Sequence, residues 1–128
     1  MLANELRVNN YVLDTKSNKH KIIKSITSYL TLGMVQFENE MHLSPTFDVS
    51  SIPLTEDWLL NFGFEYHSKG SYKMYGYIRI EQSGINEYKY IYCGHNICTL
   101  NFVHQLQNIH YTVKGKELET LNNEIKLN

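Results

Sequence analysis

Residues 71–93 read SYKMYGYIRIEQSGINEYKYIYC, two runs rich in Tyr and Ile on either side of a polar break containing Gly84. Both residue types suit a pleated, half-buried surface, so 71–81 and 87–93 are expected to pair as a β-hairpin connected through 82–86. Alternation along the first strand puts Lys73, Tyr75, Tyr77 and Arg79 on one face, and Tyr72, Met74, Ile78 and Ile80 on the other. A face that interleaves cations with tyrosines can stack bases and neutralise phosphates. Tyrosine is also simply a good strand former with a polar tip, and register separates the two readings. A two-residue Ser83-Gly84 turn would pair Tyr77 with Tyr90 and Arg79 with Tyr88, giving a continuous cation–aromatic patch. A three-residue loop would set Ile78 opposite Tyr90 and Ile80 opposite Tyr88. The second keeps apolar groups together and is favoured.

Upstream of the hairpin, residues 52–65 read IPLTEDWLLNFGFE and signal a short helix near 56–62. Thr55 suits the N-cap, Glu56 and Asp57 favour the positive end of the helix dipole, and Leu54 with Leu59 can form a hydrophobic staple. Gly63 follows at a C′ position. Downstream, Asn101 can cap a helix near 102–114 whose Phe102, Leu106, Ile109 and Val113 make one apolar stripe, ended by Gly115. Residues 116–128 are a charged tail or a short further helix carrying Leu118, Leu121, Ile125 and Leu127. In the N-terminal half, strand-like runs at 6–8, 11–13, 20–25, 28–32 and 34–37 are separated by turn residues at 14–19 and at Gly33. The expected fold is α+β. It comprises a small curled antiparallel sheet or partial barrel from the N-terminal half, the short helix, the hairpin and the C-terminal helix, in a single domain over 1–128.

With 128 residues, 42% hydrophobic and 20% charged, the chain can bury a core without disulfide staples. No apolar run approaches the roughly 20 residues that span a bilayer, and MLANELRVNN lacks the apolar centre of a signal peptide. A cytoplasmic protein with two reduced thiols, Cys93 and Cys98, is therefore expected, without membrane association. The net charge of −1 is unevenly spread: +3 over residues 1–30, −6 over 31–66 and +2 over 67–128. A sequence-blind nucleic-acid binder would be basic overall, so that class is disfavoured.

Chemistry-bearing clusters are few. Cys93, His95 and Cys98, with His104 and His110 downstream, offer thiolate and imidazole ligands, but at spacings unlike those of zinc modules. A Cys–His nucleophilic pair would need a supporting turn or oxyanion nest that the sequence does not signal. The glycines form no phosphate-binding loop, and the carboxylate pairs Glu38/Glu40 and Glu56/Asp57 suit solvated positions. No catalytic residue, metal ligand or cofactor is assigned, and the chain is read as a binding protein rather than an enzyme. Lys16, Lys19, His20, Lys21 and Lys24 form a basic run that suits RNA, an acidic protein surface or a guarded strand edge. The acidic stretch 31–66 is thin for mimicry of nucleic-acid charge. The candidate partner-binding residues are Lys19, Lys21, Lys24, Lys73, Tyr75, Tyr77 and Arg79.

Three segments together carry a resemblance: ANELRVNNYV at 3–12, IPLTEDWLLNFGFE at 52–65 and FVHQLQNIHYTVKGKEL at 102–118. They resemble a family of small proteins encoded by Bacteroidetes bacteria and their phages and prophages. The chain departs from the family pattern at His110, where the family has an aromatic, and in carrying the Cys93/Cys98 pair. The resemblance implies an accessory protein that binds and disables host defence. Specifically, it implies an anti-CRISPR inhibitor of an RNA-guided, RNA-cutting type VI-B effector, engaging that protein or its guide RNA. The alternatives are a small single-strand nucleic-acid binder and a virion or regulatory scaffold protein.

Overall fold

The computed structural model describes residues 5–29 and 32–121. The chain divides into two compact units, an N-terminal one ending at Ile52 and a C-terminal one beginning at Pro53. Both are built on five-stranded antiparallel sheets, which makes the protein α+β.

The N-terminal unit holds β1 (Tyr11–Asp14), β2 (Lys19–Tyr29), β3 (Leu32–Phe37), β4 (Leu43–Pro45) and β5 (Val49–Ser50), in the order β4-β3-β2-β1-β5. β4 and β5 are its two edges, so this is an open sheet and not the expected curled sheet or partial barrel. The physical reason lies in β2. The segment expected as a strand at 20–25 and the start of the one expected at 28–32 belong to one eleven-residue strand, Lys19–Tyr29, while Leu32 and Gly33 belong to β3. The pairing of β2 with β3 slips between Ile23 and Ser25, leaving Lys24 as a bulge residue. Residues 6–8 are not a strand. Asn10 folds back there, its side-chain oxygen accepting from the Arg7 N–H at 2.7 Å, and Leu6, just before that turn, joins the core. That core comprises Leu6, Val12, Ile23, Val35, Phe37 and Val49 with Ile26 against it.

The C-terminal unit opens with α1 (Glu56–Asn61), followed by β6 (Glu65–Ser68), β7 (Ser71–Met74), β8 (Ile78–Gly84), β9 (Glu87–Tyr92) and β10 (His95–Leu100), and closes with α2 (Val103–Lys114). Its sheet is a simple meander, β10-β9-β8-β7-β6. Leu54 and Leu59 are fully buried, as a staple requires, although the Thr55 hydroxyl makes no capping bond. Gly63 N–H donates to Leu60 and Phe64 N–H to Leu59, a Schellman ending in which Gly63 adopts φ +94°. α2 is capped from Phe102 rather than Asn101. The Gln105 side chain reaches back to accept from both the Asn101 and Phe102 N–H groups, at 2.8 and 3.1 Å. Gly115 ends α2 in the left-handed region, as expected.

Both helices lie on the sheet face that carries Tyr72, Ile78, Ile80, Tyr88, Tyr90 and Leu100. Tyr72 donates to Glu56 of α1, and Tyr90 meets His110 of α2. The buried residues of α2 are Val103, His104, Leu106, Gln107 and His110. Phe102, Ile109 and Val113, expected to form the core stripe with Leu106, are only half-buried. His104 and His110 are both buried. After α2, residues 116–121 form no helix, although Leu118 is buried; the expected further helix otherwise falls on 122–128, outside the described residues.

Candidate functional site

The tyrosine-rich hairpin differs from its expected form in two ways. Residues 71–81 are not one strand: the chain reverses through Tyr75-Gly76-Tyr77, so that β7 and β8 form a hairpin of their own with Lys73 opposite Arg79 and Met74 opposite Ile78. Gly76 and Tyr77 make the reversal through positive φ, +87° and +64°. The β8–β9 turn is Ile85-Asn86, with Asn86 at φ +53°, and not Ser83-Gly84 or a three-residue loop. Ile78 therefore faces Tyr92 and Ile80 faces Tyr90, two residues from the favoured register. A slip of two preserves which side each residue faces, so Tyr88 and Tyr90 are buried with the isoleucines as that register implied.

The new reversal still gathers the four residues singled out in this segment. Lys73 and Arg79 are cross-strand neighbours, whose Cβ atoms sit about 5 Å apart in such a pair. Tyr75 and Tyr77 stand at the tip, 97% and 82% exposed. Beside them the β9–β10 connection is a two-residue turn, Cys93-Gly94, with both residues at positive φ, the geometry that best fits the twist of a hairpin. Cys93 N–H donates to the Tyr77 carbonyl at 3.0 Å, which ties the two tips together. Between them lies a cleft of about 640 Å³, lined chiefly by Lys73, Tyr75, Tyr77, Arg79, Ile91 and Cys93. The Glu81 carboxylate lies 3.0 Å from Arg79 Nε, an ion pair without hydrogen-bond geometry.

Two contributors escaped the sequence reading. Ile91 lies opposite Arg79 and is buried, giving the cleft an apolar floor. Lys114, from the end of α2, places Nζ 5.5 Å from the Tyr92 ring centroid, and a Cβ on Gly76 would collide with it. No local spacing announces a contact between residue 114 and residue 76; only the path of α2 across the sheet creates it.

The lysine run behaves differently. Lys21 is largely covered, bonded to Asp14 at 2.7 Å and to Glu40 at 2.5 Å, and lies over the Phe37 ring. Burial pushes its ammonium down, but the bonds to the two carboxylates outweigh that and hold it above the ordinary lysine value. Burial likewise raises the Asp14 carboxyl, and its bonds from Lys21, Ser17 and the Lys16 N–H more than reverse this. Lys21 is thus a strut of the N-terminal unit. Lys16 pairs with Asp48 at 3.3 Å, while Lys19 and Lys24 are exposed. These lysines belong to the N-terminal unit and the tyrosine–cation tip to the C-terminal one.

Cys93 and His95 are exposed, Cys98 is half-buried and both cysteines are free. His104 stacks on Phe102 with centroids 6.0 Å apart, and His110 Nδ1 lies 3.0 Å from the Tyr90 hydroxyl. Among the described residues, no group of three or more His, Cys, Asp or Glu side chains is placed to hold a metal ion.

Neither a family model, nor a curated protein, nor a solved structure matches the chain.

Proposed function

We propose that this chain is a non-enzymatic binding protein that inhibits a host RNA-guided, RNA-cutting nuclease of the type VI-B kind, using the β7–β8 tip to occupy the effector's guide RNA. The observation that carries the reading is the convergence of Lys73, Tyr75, Tyr77 and Arg79 at one exposed hairpin end. Covering a large, nearly fully exposed side chain contributes about 2 kcal/mol, so two such tyrosines can account for roughly a thousandfold in affinity. Tyr and Arg are also the residues on which binding energy concentrates at interfaces. The setting, a phage or prophage accessory protein, comes from the resemblance of segments 3–12, 52–65 and 102–118.

The test is a cleavage assay with a purified type VI-B effector, its guide and a labelled target RNA. Inhibition that saturates near one chain per effector, and that the paired change Tyr75→Ala and Tyr77→Gly removes, supports the reading. Catalytic inactivation at far lower ratios, or unimpaired cleavage at excess, overturns it. The second reading, a free-standing single-strand RNA binder, is favoured by Lys114 adding a third cation behind the tip. It predicts RNA binding without any effect on cleavage.

A further inference from the structure

We propose that the cleft between the β7–β8 and β9–β10 tips is a binding site for one nucleoside monophosphate unit of single-stranded RNA. This rests on the reading of the tip as the docking surface and adds the chemistry of its occupant. A volume of about 640 Å³ falls within the roughly 300–1,000 Å³ of small-ligand sites, large enough for a single nucleotide. The floor is apolar: Ile91, directly across from Arg79, lines it, so a planar base can rest there without losing hydrogen bonds. Tyr75 and Tyr77 supply two exposed rings at the wall, and stacking on tyrosine is tolerant of base identity.

The charge of the lining selects an anion. Lys73 and Arg79 are the charged side chains among the described residues that line it, with Glu81 beside Arg79 and Glu65 across from Lys73 at its edge. Glu81 approaches Arg79 on its Nε side, and the paired terminal amino groups are the fork that matches two phosphate oxygens. Inorganic phosphate would satisfy these cations but leave the rings and the Ile91 floor wet. An uncharged aromatic would do the reverse. A base with its phosphate engages both. The rim at Gly94 is open, since a Cβ there would meet nothing within 4 Å, so a strand can enter and leave past the turn. Tyr77, one of the residues lining the cleft, is held in the left-handed region that glycine prefers.

The test is amide chemical-shift mapping of the full chain with adenosine 5′-monophosphate, adenosine, inorganic phosphate and a six-nucleotide oligoadenylate. The monophosphate should shift amides at 73–79 and 91–94, at least tenfold more tightly than adenosine or phosphate alone. The oligonucleotide should bind more tightly still, which separates an RNA strand from a free nucleotide as the source. Tyr77→Gly, which the backbone accepts, and Arg79→Gln should each weaken monophosphate binding at least fivefold. Several outcomes would overturn the proposal: no shifts at these amides, unchanged affinity in both variants, an oligonucleotide no tighter than the monophosphate, or equal binding of a hexaglutamate peptide. The effector assay run on the same variants keeps the two ideas apart. Inhibition lost in the tip variants without nucleotide binding removes this inference and leaves the docking surface. Nucleotide binding without inhibition does the opposite.

Discussion

At the scale of single residues, His110 sets a pH dependence. Burial, aided by the Lys114 charge and opposed by Glu117, pushes its imidazole down to about 4 from an ordinary 6.5. Folded protein thus keeps His110 neutral where unfolded chain would already bind a proton. The stability it contributes is fully present above pH 6.5 and is lost as pH falls toward 4. Over that window the loss amounts to about 3 kcal/mol. Urea midpoints measured from pH 7.5 to 4.5 should fall accordingly, and His110→Gln should flatten most of the slope. His20, which burial pushes in the same direction, and the lowered Asp14 carboxyl contribute to the remainder. A second prediction concerns Tyr77. Relief of left-handed strain, worth roughly 1–2 kcal/mol, exceeds the roughly 0.5–1 kcal/mol entropic cost of glycine. Tyr77→Gly should therefore raise the unfolding free energy by about 0.5 kcal/mol in denaturant titrations. Neither environment was legible beforehand. His110 breaks the apolar stripe of α2 in sequence, yet it is buried because the Tyr90 hydroxyl, twenty positions away, meets its ring nitrogen.

Among elements, the punctuated ones were easiest to read. Leu54, Leu59 and Gly63 carry α1 because staple and Schellman ending are local devices whose signals lie within a few residues. Sheet registers are set by longer-range contacts. The sequence favours a three-residue loop over a Ser83-Gly84 turn, but Asn86 wins at the β8–β9 connection. It tolerates φ +53°, and its side-chain amide donates to the Leu54 carbonyl at 2.9 Å, a partner 32 residues away. Tyr75-Gly76-Tyr77 was hidden by the same logic, since alternation continues unbroken through a three-residue reversal. The Asn86 account can be checked. Asn86→Gly loses only the hydrogen bond, about 1 kcal/mol, whereas Asn86→Ala adds left-handed strain and should cost about 2–3 kcal/mol. Equal losses in thermal or urea unfolding would show that the turn conformation contributes nothing.

For the whole molecule, the relevant quantity is charge distribution. A chain of net charge −1 has no broad basic field, and its acidic stretch 31–66 is partly neutralised from outside, Glu40 by Lys21 and Asp48 by Lys16. Any RNA affinity must come from a few cations around the tip. With Lys73, Arg79 and Lys114 engaged, binding should weaken with a log–log salt slope of about −2, and Arg79→Gln should reduce its magnitude by about 0.7. A slope several times steeper, measured by fluorescence anisotropy, would locate binding on some larger basic surface. The count of strands per unit was not legible at this scale either, because β4, β5 and β6 are short pieces without strong alternation that exist by pairing with their neighbours.

The Cys93-Gly94 turn makes the cleft accessible to thiol chemistry. Cys93 projects into solvent at the rim, whereas Cys98 is half-buried and burial raises its thiol above the ordinary value. A maleimide dye at neutral pH should therefore modify Cys93 well ahead of Cys98, as peptide mass mapping would show. The native chain then carries its own reporter at the mouth of the cleft, without engineered residues. Once a partner occupies that mouth, alkylation of Cys93 should slow while the reactivity of Cys98 stays as it was.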